Sequence, residues 1–248
     1  MYDPVRYVMA GGFKPDPWQI RFLRSGSAYR MLNCSRQVGK STTVAWGALH
    51  RAIYYPNSLI LLVSRGERQS IELMIKVREA MSTAVDLPGL VRDGTMTLEF
   101  DNGSRMLALP GKGESIRGFS SVNLLVLDEA ALIPNDLYVA VRPMLAVSQG
   151  DMWTLSTPFG ARGWWHDIYK KIRADLRAAR RPRWEYYEIP ATACPRITAE
   201  FLEEERLSMG EWWYRQEYEC RFLDPLGSMF TSRDVDAAFA EETMAWAL

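Results

Sequence analysis

The stretch Tyr29-Arg30-Met31-Leu32-Asn33-Cys34-Ser35-Arg36-Gln37-Val38-Gly39-Lys40-Ser41-Thr42 decides the fold. A short apolar run, Tyr29 to Cys34, reads as a strand. A polar turn follows, and Lys40 to Tyr54 reads as a helix that stops before Pro56. Strand, turn and helix in this order are the context a phosphate-binding loop needs. Backbone N–H groups of the turn and of the helix start aim at phosphate oxygens, and the helix dipole adds to the attraction. Ser35, Arg36, Gln37, Val38, Gly39, Lys40, Ser41 and Thr42 are therefore the candidate nucleotide-binding residues. Gly39 lets the backbone come close, Lys40 is expected to span the β- and γ-phosphates, and the Ser41 hydroxyl to meet Mg2+. Thr42 falls on the helix surface or the adenine side. The usual first glycine is absent, with Cys34 or Ser35 in its place. The competing reading is an ordinary helix start with a chance Gly-Lys-Ser.

Working outward, Leu124-Leu125-Val126-Leu127-Asp128-Glu129 is four apolar residues ending in two acids. Acids at the carboxyl end of a buried parallel strand lie where open α/β sheets bind ligands. Asp128 is expected to hold Mg2+ through water, and Glu129 to polarise the water that attacks the γ-phosphate. Leu155-Ser156-Thr157-Pro158 ends another strand, so the hydroxyls of Ser156 and Thr157 are candidates to sense that phosphate. Trp18-Gln19 lies ahead of the first strand. A glutamine amide pairs with adenine by donating and accepting at once. Arg117, in the Gly-rich polar stretch Pro110 to Ser121, is a candidate phosphate contact in its own site or a neighbour's. Arg36 is a second candidate for the γ-phosphate. His50 and His166 lack metal-ligand spacing.

The remaining pattern alternates strands and helices. Leu59 to Val63 is apolar throughout, as in a strand buried on both faces. Glu67 to Met81 reads as an amphipathic helix. Asp101-Asn102-Gly103 between alternating runs predicts a hairpin over 95–109. Further helices are expected near Leu137 to Met144, Trp164 to Ala179, Thr198 to Met209 and Trp212 to Tyr218. Further strands are expected over Met152 to Leu155 and Trp184 to Ile189. Residues 1–25 read as a loop, then a short helix capped by Asp16 with Pro17 at its first position. This order predicts a mostly parallel sheet with helices on both faces.

The 248 residues carry 30 Lys+Arg and 30 Asp+Glu. A stand-alone nucleic-acid binder is usually basic, so any such contact must come from a local patch, for which Arg177 to Arg183 is the candidate, or from several copies. The three cysteines, Cys34, Cys194 and Cys220, form no CxxC pair and read as free thiols of a reducing compartment. No apolar run reaches membrane-spanning length, and the N-terminus has no signal-peptide pattern.

Taken together, Ser35-Arg36-Gln37-Val38-Gly39-Lys40-Ser41 resembles the deviant Walker A motif of the large terminase subunits of tailed viruses. Leu127-Asp128-Glu129-Ala130-Ala131 resembles their Walker B motif with its catalytic glutamate. Ser156-Thr157-Pro158 is similar to their coupling motif, and Trp18-Gln19 to their adenine-side motif. Ile116-Arg117-Gly118 is similar to the segment that carries a trans-acting arginine finger. Trp212 to Tyr218 followed by Phe222 resembles the end of their ATPase domain. The resemblance runs from about residue 16 to about residue 230.

It implies a P-loop NTPase of the additional-strand, catalytic-glutamate class, over residues 1–225, with a small helical lid over about 190–225. It implies ATP and Mg2+ as cofactors, with Glu129, Arg117 and Lys40 catalytic and Ser41 and Asp128 at the metal. It further implies translocation of double-stranded DNA into a capsid. The partners it implies are a portal protein, a small terminase subunit and further copies in a ring, with a monomer in isolation. The place it implies is the host cytoplasm, transiently at the portal. Full-length members continue into a nuclease domain. Residues 226–248 are expected to be a linker toward it, with the nuclease absent from this chain. The runner-up is a superfamily 2 helicase-like ATPase, which also carries Asp-Glu-Ala but needs a second such domain. A third reading is a nucleotide-binding scaffold without catalysis, against which Lys40, Ser41, Asp128 and Glu129 stand.

Overall fold

The computed structural model describes residues 3–111, 116, 118–224, 234 and 238. Its frame is an eight-stranded sheet among those residues. In chain order the strands are β1 (Tyr29–Cys34), β2 (Leu59–Ser64), β3 (Leu90–Gly94), β4 (Thr97–Phe100), β5 (Arg105–Pro110), β6 (Leu124–Asp128), β7 (Asp151–Ser156) and β8 (Glu185–Ile189). Across the sheet they run β3-β4-β5-β2-β6-β7-β1-β8. Every pairing from β5 to β8 is parallel. The antiparallel hairpin β4–β5 and the added strand β3 close one edge. The sheet is thus mostly parallel, as expected, and β3 is the strand the sequence pattern did not reveal.

The fully apolar runs have a direct cause. In β6, Leu124 and Val126 enter one core while Leu125 and Leu127 enter the other. In β2, Ile60 and Leu62 face the first and Leu61 and Val63 the second. A period of two with both faces covered leaves no position for a polar residue. Helices α3 (Lys40–Tyr54) and α4 (Glu67–Met81) cover the first face. Helices α5 (Asn135–Val141) and α6 (Gly163–Arg177) cover the second.

The N-terminal residues differ from expectation. Pro4–Ala10 is a helix, α1, rather than loop. The Asp3 carboxylate accepts from the Val5 N–H at 2.9 Å, and Tyr7 and Val8 are buried. Helix α2 (Pro17–Arg24) starts at Asp16 with Pro17 first, as expected. The helix expected to run to Met144 ends at Val141, and a 3-10 turn over Arg142–Leu145 with Pro143 replaces its last part. Past β8, helices α7 (Ala199–Met209) and α8 (Glu211–Glu217) share a small cluster of their own around Leu202, Tyr218 and Ala191. The three cysteines are free and buried. No helix among the described residues is long and apolar enough to cross a membrane.

Candidate nucleotide site

Parallel pairing puts the carboxyl ends of β1, β6 and β7 on one edge. Asn33 lies opposite Ser156, and Asp128 opposite Leu155. The three sequence motifs therefore emerge side by side. Strand β7 stands between β6 and β1, which is the additional strand expected for the class.

The turn after β1 is built by backbone bonds to distant segments. Ser35 N–H donates to Ile189 O at 2.9 Å and Arg36 N–H to Glu217 O at 3.3 Å. Gln37 (φ 62°) and Gly39 (φ 86°) both adopt left-handed backbone, which curls the loop before α3 begins. At Gly39 a Cβ would meet Gln19 Nε2 at 3.1 Å, so close approach and conformation both favour glycine. The first N–H groups of α3 have no partner within the helix and face the loop's concavity.

Lys40 Nζ lies 3.4 Å from Glu129 Oε1, and Ser156 Oγ lies 3.4 Å from Glu129 Oε2. Glu129 is left-handed, at φ 51° and ψ 44°, and its N–H donates to Asp128 Oδ1 at 3.0 Å. Burial alone would lower the Lys40 ammonium. The carboxylates of Glu129 and Asp128 outweigh it and hold Lys40 above its ordinary value. Burial, with the Glu129 charge adding, pushes the Asp128 carboxyl up to about 6 against the opposing pull of Lys40. A cavity of about 250 Å3 joins Ser41, Asp128 and Glu129 with Arg68, Glu72 and Lys76 of α4.

A magnesium ion suits this donor set. Mg2+ keeps most of its waters and takes one or two protein oxygens beside substrate phosphates. One hydroxyl, Ser41, and one carboxylate, Asp128, face a single cavity.

The other expected residues fall as follows. Ser156 and Thr157 are buried at the end of β7, and the Ser156 hydroxyl gives its one proton to Thr157 O at 2.7 Å, with Glu129 a neighbour at 3.4 Å. Val38 is buried in the first core, whereas Gln37 is exposed and Thr42 partly so. Arg36 turns away from the cradle and pairs with Glu217 of α8. Gln19 is buried, at 2% exposure, and its Oε1 accepts from Asp16 N–H at 2.7 Å. Its Nε2 lies 3.1 Å from the point where a Cβ on Gly39 would stand, which sets it against the P-loop. Trp18 packs partly buried on the first core. In the basic stretch 177–183, Arg180 pairs with Asp175, and Arg183 donates to the Tyr29 hydroxyl at 2.6 Å. Arg117 lies outside the described residues.

Sequence reasoning missed two residues at the site. Arg68 opens α4 without any motif. Arg196 sits in the loop before α7, pairs with Asp16 and reaches the P-loop at Gly39. No local pattern signals either one, because each arrives through chain folding rather than spacing.

Fold and site together define a P-loop NTPase with an additional strand. The family described as terminase large subunit, T4likevirus-type, N-terminal, matches residues 31–236, and the chain belongs to that family. The large terminase subunit of Thermus phage G20c is 23% identical over 90% of this chain and 52% of its own length. The chain thus spans about half the length of the curated relatives it matches. Among solved structures, the large terminase ATPase domain of Thermus phage P74-26 superposes with a TM-score of 0.75 at 21% identity, covering 88% of this chain and 98% of that one. The large terminase of a thermophilic bacteriophage in complex with ADP gives 0.69 at 12% identity, covering 84% of this chain and 54% of that one.

Proposed function

We propose that this chain is the ATP-hydrolysing motor domain of a viral large terminase, driving double-stranded DNA into a capsid. One observation carries the reading. Across the inserted strand β7, the Glu129 carboxylate is met by the P-loop Lys40 on one oxygen and by Ser156 on the other. A structural surface acid would have no reason to sit in left-handed backbone between these two groups.

In this reading the phosphates lie along the N–H groups of the turn and of α3, with Lys40 on the β- and γ-phosphates. Bound at Ser41 and Asp128, Mg2+ supplies charge neutralisation of the phosphate oxygens. Glu129 exchanges Lys40 for a water, orients it in line with the γ-phosphorus and takes its proton. The water oxygen bonds to phosphorus, the bond to the β–γ bridging oxygen breaks, and ADP and inorganic phosphate result. Ser156 and Thr157 register whether Glu129 is engaged. Arg117 acts from a neighbouring copy.

The family, a P-loop relative described as an ATPase domain and another held with ADP support the assignment. DNA, a portal protein, a small terminase subunit and a ring of copies follow as partners, with the host cytoplasm and the capsid portal as the place of action. The test is phosphate release with Mg2+ and ATP. Lys40→Ala should lose nucleotide binding, since it deletes a charge-assisted contact. Glu129→Gln should bind ATP and lose hydrolysis. Wild-type turnover by Glu129→Gln would remove the role given to that carboxylate.

A further inference from the structure

We propose that Arg196 is the platform on which the base of the bound nucleotide stacks, and that Asp16 holds this platform in position. The inference rests on the reading of residues 35–42 as a phosphate cradle. Three features of the structure lead to it.

First, Arg196 lies against the P-loop, next to the residue that local sequence marks for the base. Its Nη2 lies 4.0 Å from the point where a Cβ on Gly39 would stand, beside the same glycine that Gln19 braces. Second, its guanidinium is fixed. Nη1 donates to Asp16 Oδ1 at 3.0 Å and Nη2 to Asp16 Oδ2 at 2.7 Å, a two-point contact that sets the plane of the fork. Asp16 is in turn locked at the start of α2, its side chain 9% exposed. Third, Arg196 remains open, with 56% of its side chain exposed. Gln19, which local sequence marks for the base, is buried beside the same glycine, with its Oε1 held by Asp16 N–H.

Charge decides between base and phosphate. Asp16 neutralises the guanidinium along its edge, so the pair offers little net attraction to a phosphate. More than half of the side chain stays open, and a planar cation stacks on an aromatic ring. Lys40 and the N–H groups of α3 already serve the phosphates. Asp16 and Arg196 are 180 residues apart in sequence. Their contact also ties the loop before α7 to the start of α2, so a stacked base would pin that loop down.

The experiment measures equilibrium binding of ATP, ADP and inorganic tripolyphosphate to the full chain. Arg196→Ala should weaken ATP and ADP by roughly three- to thirty-fold, the range of one cation–aromatic stack. It should leave tripolyphosphate unchanged, which also shows that the variant is folded. Arg196→Lys keeps the charge but loses the plane and the two-point hold of Asp16, so it should recover only part of the loss. Asp16→Asn should weaken ATP in the same direction by less. Equal losses of ATP and tripolyphosphate would make Arg196 a phosphate ligand and overturn the proposal, as would full rescue by lysine or unchanged ATP binding by Arg196→Ala. Wild-type chain that binds neither compound would instead overturn the cradle reading on which the proposal rests.

Discussion

Glu129 occupies left-handed backbone without being glycine, asparagine or aspartate. Such a residue costs on the order of 1–2 kcal/mol, and the cost falls at the group that faces both Lys40 and Ser156. Asp128 beside it carries a second cost. Burial pushes its carboxyl up to about 6, against 3.8 for the free side chain. For an acid raised in this way, ionisation opposes folding. The penalty is absent below about pH 4, grows between about 4 and 6, and is full above. Two units correspond to at most about 3 kcal/mol. In metal- and nucleotide-free buffer, Asp128→Asn should therefore be more stable than wild type at pH 7, by up to that amount, with the difference closing toward pH 4. Chemical denaturation at both pH values reads this. An asparagine variant that is less stable at pH 7 would show that the carboxylate is a net stabiliser of the empty site.

At the scale of elements, the chain from α8 onward acts as a strap over two motifs. Gly160 N–H, just past the Ser156-Thr157 turn, donates to Gln216 Oε1 at 3.0 Å, and Ala161 N–H to Leu223 O at 2.9 Å. Arg36 N–H donates to Glu217 O, and Asn33 Nδ2 to Cys220 O at 2.8 Å. Two neighbouring strap residues should respond differently. Gln216 is buried at 1% exposure, so Gln216→Ala strands a backbone donor and should cost about 1–3 kcal/mol. Glu217 pairs with an Arg36 side chain that is 66% exposed, so Glu217→Ala should cost under about 1 kcal/mol. Denaturant midpoints with unchanged slopes measure both. The reverse order would mean that the ion pair, not the buried amide, holds the strap.

The same elements show what local sequence carries. Helices α3 and α4 begin and end where their caps and apolar period place them, and β2 and β6 reveal themselves by having no polar position. Strand β3 does not, because its residues are mostly exposed and lack alternation. The three motifs of the site were legible because each follows its own strand. Arg196 and the burial of Gln19 were not, since both depend on loops brought together from opposite ends of the chain.

At the scale of the whole molecule, equal numbers of acidic and basic residues leave no net attraction to DNA or between copies. Assembly must then come from specific contacts, and turnover should depend on it if part of the site is supplied by a neighbour. The segment around Arg117 precedes the acid strand. Of its neighbours, Ile116 is buried in the second core and Gly118 stands at φ 112°. An arginine brought against the γ-phosphate from another subunit neutralises charge as the transition state forms, and such fingers contribute roughly 10³–10⁵ in rate. The isolated chain should therefore be mostly monomeric and slow, and its specific activity should rise with protein concentration. Arg117→Ala should bind ATP as wild type does and lose that concentration-dependent rate. Mixing Arg117→Ala with Glu129→Gln should restore part of it, because one copy donates the arginine and the other an intact Glu129. Full activity of Arg117→Ala, or turnover independent of concentration in a demonstrated monomer, would shift the assignment to an arginine of the same chain. Arg68 shares the cavity with Ser41, Asp128 and Glu129, whereas Arg36 must first leave Glu217. Arg68→Ala would then be expected to carry the loss of rate that Arg117→Ala did not.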